Sequence, residues 1–267
     1  MKGGARALLF GIACCSVAAG ARPAHIVSIN PCIDAVLVEV ADAAQIAAVS
    51  HYSHDAHATS IPLATARRFR ATSGTAEEVV ALRPDLVLAG AHVAPSTIAA
   101  LARLHVPVRL FPVPASLAQA RAQVLAIADA AGHQRRGAAL VARMDAAVAA
   151  ARRRGPPVSA LIWQGGGLVP GAGTLADDLL RTAGFRNASG AYGLQQWDVL
   201  PLEHLVARPP RVLFSASGAD DRMTGHPVLA RLAGQTRRAA FPERLLSCAG
   251  PGIIPALAQL SAARDRL

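Results

Sequence analysis

The chain has 267 residues and a formal charge of +10, and its aromatic share of 4% is too low for a base-stacking surface. Its arginines are scattered along helical stretches as on solvated faces, so nucleic acid is not an expected partner. The length supports one large core or two modest ones.

The first segment reads as a secretory signal. Lys2 and Arg6 flank the start, Ala7 to Ala19 is apolar, and Ala19-Gly20-Ala21 forms a small-residue cleavage site before Arg22. A signal over 1–21 is expected, its apolar part too short for a spanning helix. Lipid attached at Cys14 or Cys15 would follow a very short apolar run, so soluble export is expected instead of a lipoprotein anchor. Cleavage leaves a charge of about +8. It also removes Lys2, the sole lysine, and leaves only Cys32 and Cys248 as cysteines.

Residues 22–115 alternate short apolar runs with helical stretches. "HIVSI" (25–29), "QIAAVS" (45–50), "DLVLAG" (85–90) and "VRLFPV" (108–113) are predicted strands. "TAEEVVALR" and "PSTIAALARL" between them are predicted helices, which makes βαβ units with parallel strands. From 116 to 154 the strands stop. Leu140, Val141, Met144 and Val148 recur at helical spacing, predicting a helix from about His133 to Arg154 that spans roughly 30 Å. From 155 to 267 the alternation resumes, with strands expected at "SALIWQ" (159–164), "RVLFSA" (211–216) and "ERLLSC" (243–248). "TLADDLLRTAG" and "HPVLARLAG" are read as helices. The expected fold class is α/β, with two βα lobes of mostly parallel sheet joined by one long backbone helix. The ligand cleft then lies between the lobes, beyond the carboxyl ends of the strands.

"SINPCIDAV" places Asn30 as a helix N-cap, Pro31 at the first helical position and Cys32 and Asp34 in the first turn. A helix N-terminus favours the Asp34 charge and lowers a thiol pKa. Cys248, after the expected strand "ERLLSC", repeats the arrangement in the second lobe. Both cysteines then border one cleft, and Asn30, Pro31, Cys32 and Cys248 are candidate ligand contacts. A disulfide between them, contact with a bound metal complex, and plain burial as small apolar residues all fit this placement.

Other motifs carry less. "HYSHDAH" spaces His51, His54 and His57 by three, but a metal site needs convergent geometry and supporting partners. His54 and His57 are expected in a solvated loop, while His51 and His92 sit near strand ends and are candidates for the cleft. "GAGTLA" (171–176) matches the dinucleotide fingerprint, yet it does not follow its strand directly and lacks the acidic residue about twenty positions on. It reads as a ligand-side loop entering a helix. No serine nucleophile motif or H-E-x-x-H run is present. Binding without catalysis, cofactor or resident metal is expected, with an exported metal- or thiol-dependent enzyme or redox protein using Cys32, Cys248 and His51 as the rival.

The mature chain resembles the periplasmic substrate-binding proteins with a helical backbone that serve ABC importers of vitamin B12, siderophores and haem. The likeness is greatest to the B12 binders. It rests on "HIVSINPCIDAVLVEV", "IAAVSHYS", "SGTAEEVVALRPDLVLAG", "GTLADDLLRTAGFRNAS" and "WDVLPLEHLVARPPRVLFS". The resemblance implies a monomeric periplasmic protein that captures a corrinoid or iron chelate and delivers it to a membrane permease. It places Tyr52 and, in "QQWDVLPLE", Gln196 and Trp197 against the ligand. It also makes Trp163, Gln164 and Gly165 a cleft loop, and Glu77 and Glu203 contacts for arginines of the permease. The B12 binders carry further tryptophans near Thr72 and Gly90, which this chain lacks.

Overall fold

The computed structural model describes residues 22–215, 225–246 and 248–267. The expected signal at 1–21 lies outside them. The N-terminal lobe is a sheet of β1 (Ile26–Ser28), β2 (Ile46–Ser50), β3 (Ala71–Thr72), β4 (Leu86–Gly90) and β5 (Val108–Phe111). Their order is β3-β2-β1-β4-β5 and every pairing is parallel. Ile26 and Val27 of the central strand are both fully buried although they point to opposite faces. That is why the segment reads as a continuous apolar run and not an alternation. The intervening helices are α1 (Pro31–Val40), α2 (Leu63–Ala66), α3 (Ala76–Ala81) and α4 (Pro95–Arg103).

Helix α1 starts as its sequence dictates. Asn30 Oδ1 accepts from the N–H of Cys32 at 2.9 Å and of Ile33 at 3.2 Å, and Pro31 fills the first position.

Two helices carry the chain across, α5 (Leu117–Ala130) and α6 (Gln134–Ala151). The 18 residues of α6 span ~27 Å, close to the predicted strut. Leu140, Met144 and Val148 face inward, and Val141 is only half-buried at the edge of that stripe. Helix α6 packs on α5, on α1 and on α9 (Ile253–Asp265), so it is bedded into both lobes along its length. Gly137 allows α5 and α6 to approach, since a Cβ there would overlap that of Ala128.

The C-terminal lobe contains β6 (Val158–Ile162), β7 (Leu168–Pro170), β8 (Phe185–Asn187), β9 (Trp197–Val199), β10 (Val212–Ser215) and β11 (Arg237–Ala240), with helices α7 (Leu175–Thr182) and α8 (Leu202–Ala207). Four strands form a parallel sheet in the order β11-β10-β6-β8, and β7 pairs with β9 as an antiparallel ribbon. Two expectations need correction here. "ERLLSC" is not a strand: Glu243–Leu245 is a 3-10 turn, and the strand beside β10 is Arg237–Ala240. Pro242 has no N–H for a ladder and turns the chain away, while the polar edge strand "RRAA" carries no apolar signal. "HPVLARLAG" likewise forms a 3-10 helix, Pro227–Leu232, in place of an α-helix.

One hydrophobic cluster runs through both lobes. It joins Ile26 and Leu88 of the first sheet to Leu140 and Met144 of α6 and to Ile162 and Phe214 of the second sheet. Phe185, Phe214 and Phe241 meet edge to face at centroid distances of 5.3 and 5.8 Å, a favourable aromatic geometry. A smaller cluster in the second lobe surrounds Trp163.

Candidate functional site

The carboxyl ends of β1, β4 and β5 face those of β6 and β11 across a cavity of about 690 Å³, within the range of small-molecule and cofactor sites. From the first lobe it is lined by Asn30, Cys32, Gly90, His92 and the segment 111–115. From the second it is lined by Gln164, Gln196, Trp197, Glu243 and the start of α7. The "GAGTLA" stretch borders the cavity as expected of a ligand-side loop, although a short strand, β7, ends at Pro170 directly before it, against expectation. Thr174 Oγ1 accepts from the Asp177 N–H at 3.3 Å to cap α7, and Gly173 and Thr174 border the cavity.

Trp197 reaches the cavity because of a close backbone approach. Gly171 donates its N–H to the Gln196 carbonyl, and a Cβ on Gly171 would lie 2.7 Å from that oxygen. Gln196 itself holds φ 47°, a left-handed conformation unusual outside glycine. The ribbon thus presents Trp197 at the cleft with 48% of its surface exposed. Strain of this kind concentrates where a side chain must be aimed.

Gly90 leaves room for the cap of α1. A Cβ there would lie 2.5 Å from Asn30 Nδ2, so the N-cap side chain occupies the space a larger residue would need.

Several expected site residues lie elsewhere. Trp163 is fully buried and its Nε1–H donates to the Leu200 carbonyl at 3.1 Å, so it serves the core of the second lobe and does not line the cleft. Gly165 is also off the cavity wall and donates its N–H to Glu243 Oε1 at 3.0 Å. Pro31 is spent on starting α1. His51 and Tyr52 follow β2, on the far side of β1 from β4, and neither lines the cavity. Their rings stack on each other at 4.1 Å, and Tyr52 is 53% exposed. His51 Nδ1 contacts the Thr72 carbonyl at 3.2 Å and His54 Nε2 the Ala66 carbonyl at 3.0 Å. His54 therefore ties its loop down and is not simply solvated, whereas His57 is exposed. Among the described residues no group of three His, Cys, Asp or Glu is placed to hold a metal.

The loop bearing Tyr52 is held by Asp34. Asp34 Oδ2 accepts from the Ser50 N–H at 2.9 Å and from Ser53 Oγ at 2.6 Å, while Oδ1 has no partner. Burial pushes the carboxyl up to about 7, outweighing the hydrogen bonds from Ser53 and Ser50. Desolvation here dominates the helix-dipole effect that its first-turn position suggested. The folded pKa lies above the unfolded value of 3.8, so the folded chain retains this proton over the interval between them. The stability it contributes is present below about 4 and is lost as pH rises through about 7. Asp34→Asn, which cannot ionise, is expected to flatten that decline, as checked by urea unfolding at stepped pH.

Cys32 and Cys248 are bonded to each other, with α-carbons 4.8 Å apart. Cys32 borders the cavity and Cys248 is buried behind it. Cys248 follows a turn and not a strand end as expected. With both sulfurs joined, neither is a free thiol nucleophile or thiolate metal ligand in this structure.

Sequence reasoning missed the apolar wall at Phe111, Val113, Leu168, Leu175 and Leu246. A signal for part of it was present in "FPVPA", where Pro112 and Pro114 break a strand but leave apolar residues exposed. Val113 keeps 65% of its surface.

A family model, periplasmic binding protein, matches residues 26–241. The periplasmic heme-binding protein RhuT from Roseiflexus sp. RS-1 superposes with a TM-score of 0.74 at 24% identity, over 90% of this chain and 98% of that one. The vitamin B12-binding protein BtuF of Vibrio cholerae gives 0.73 at 17%, over 92% and 98%. The heme-binding protein HutB of Vibrio cholerae gives 0.73 at 15%, over 90% and 98%. At these identities the structural likeness speaks for the two-lobed fold alone. No curated protein matches the chain. Among the described residues no helix is long and apolar enough to cross a membrane. With the model match covering most of its length, the chain belongs to the periplasmic binding protein family.

Proposed function

We propose that the protein captures a metal chelate, cobalamin or a related corrinoid, in the periplasm and hands it to the permease of an ABC importer. The observation that carries this reading is the chemistry of the cavity wall. Asn30, Gln123, Gln164 and Gln196 line it with carboxamides, and Phe111, Trp197 and the leucines supply apolar area. Among the described lining residues the one side chain with a formal charge at neutral pH is the Glu243 carboxylate. A corrinoid is a broad macrocycle fringed with neutral amides, which pair with carboxamides and a carboxylate. The inter-lobe disulfide fits an oxidising compartment.

Titration of the purified protein with cyanocobalamin, haemin and a ferric hydroxamate, followed by visible absorbance, tests the reading. One-to-one binding of cyanocobalamin in preference to the other two is expected. Preference for haemin would replace the corrinoid reading, and binding of none would remove the chelate reading. Trp197→Ala is expected to weaken the preferred ligand about tenfold, through loss of an apolar stacking face worth roughly 1–2 kcal/mol.

Docking to the permease is assigned to Glu77, in the first turn of α3, and Glu203, in the first turn of α8. Both are exposed, and neither has a hydrogen bond or ion pair among the described residues. Their neighbour Glu78 is by contrast engaged, accepting from the Ser73 N–H at 2.7 Å and Thr72 Oγ1 at 3.0 Å. Glu77→Ala with Glu203→Ala is expected to abolish stimulation of the importer's ATPase while leaving ligand affinity unchanged. Full stimulation by the double variant would refute the docking assignment.

A further inference from the structure

We propose that the Cys32–Cys248 disulfide is a spacer built into the ligand site, which positions the facing walls of the cleft and so selects guests by their thickness. Cys32 lines the cavity with its neighbours Asn30 and Ile33, and Leu246 and Ala249, on either side of Cys248, line it from the other lobe. The bridge therefore lies within the cavity wall and not at a remote end of the fold. It joins points 216 residues apart in sequence at an α-carbon separation of 4.8 Å.

The same junction is packed as well as bonded. Gly250 holds φ 139°, and a Cβ there would lie 3.0 Å from Val36 Cγ2, so α1 rests on the backbone that follows Cys248. Elsewhere the lobes are linked through the connecting helices, by side-chain packing, by the Leu117 N–H donated to Asp178 Oδ2 at 3.0 Å and by the Arg153–Asp265 ion pair at 2.6 Å. Such contacts permit the walls to move apart, whereas a covalent bond of fixed reach does not. For a flat guest the difference matters, because a gap of 0.5–1 Å already forfeits roughly a quarter to a half of each dispersion contact. Cys32 and Cys248 are thus positioning residues for the walls.

This inference rests on reading the cleft as the ligand site, and its test separates the two. A ketone-bearing amino acid at the exposed positions Ala102 and Ala230, one in each lobe, accepts nitroxide labels without using cysteine. Pulsed EPR on the ligand-free protein then compares wild type with Cys32→Ala/Cys248→Ala. A broader inter-lobe distance distribution in the variant is expected, and an unchanged one overturns the spacer whatever the ligand. Stopped-flow release of cyanocobalamin is expected to be about tenfold faster from the variant, and equal rates also overturn it. If wild type binds no cyanocobalamin, the corrinoid reading fails while the distance comparison still decides the spacer. Should the variant not fold, wild type reduced in its native state by a phosphine takes its place with the same expectations.

Discussion

Replacing both bridge cysteines, Cys32→Ala with Cys248→Ala, is expected to lower the free energy of unfolding by about 2–5 kcal/mol. The cross-link closes a loop with a sequence separation of 216. Chain-entropy arguments make the stabilisation grow with the logarithm of loop length, so this bridge belongs at the upper end of that range. Changing both residues together avoids a leftover thiol. For a chain of this size the loss corresponds to a melting temperature lower by roughly 5–20 °C. Urea unfolding and calorimetry of the two proteins measure it. Equal midpoints would mean that the shared core holds the lobes so well that the bond adds nothing.

Trp163→Ala is expected to cost about 3–5 kcal/mol, as large core truncations do. The ring is fully buried among Leu161, Val169, Leu200 and Leu213, and it supplies the donor for the Leu200 carbonyl. Trp163→Phe keeps a smaller aromatic ring, so its cost combines the unpaired Leu200 carbonyl, about 1–3 kcal/mol, with that of a small cavity. Ligand affinity should not change in Trp163→Phe, because the side chain does not reach the cavity. The contrast with Trp197→Ala, expected to weaken binding with little effect on stability, separates the two tryptophans by function. If Trp163→Phe instead lost ligand and Trp197→Ala did not, the placement of both would be wrong.

The two tryptophans also show what the sequence could reveal. Each follows or lies in a strand. Only three-dimensional packing distinguishes the buried ring, satisfied by Leu200, from the one held at the cleft by the Gly171–Gln196 approach. The first lobe was legible because its central strands are buried on both faces and read as apolar runs. The edge of the second sheet was not, since "RRAA" at 237–240 has no apolar pattern and Pro242 shifts the following turn out of the ladder. Asn30 and Pro31 announced the start of α1 by local chemistry alone. Asp34 beside them was misleading: its position suggests a charge on a helix dipole, but burial beneath Ser50 and Ser53 raises its pKa. Cys32 could be placed at the cleft from its strand-to-helix turn, while Cys248 was placed beside it on a strand that does not form, and their bonding required the distance between α-carbons.

A structure of the protein crystallised with cyanocobalamin tests the central claim most directly. The predicted result is one corrinoid between the lobes, its macrocycle against Trp197 and Phe111 and its amides toward Gln164, Gln196 and Glu243. A ligand seated outside that cavity, or an empty cavity in crystals grown at saturating ligand, would contradict it.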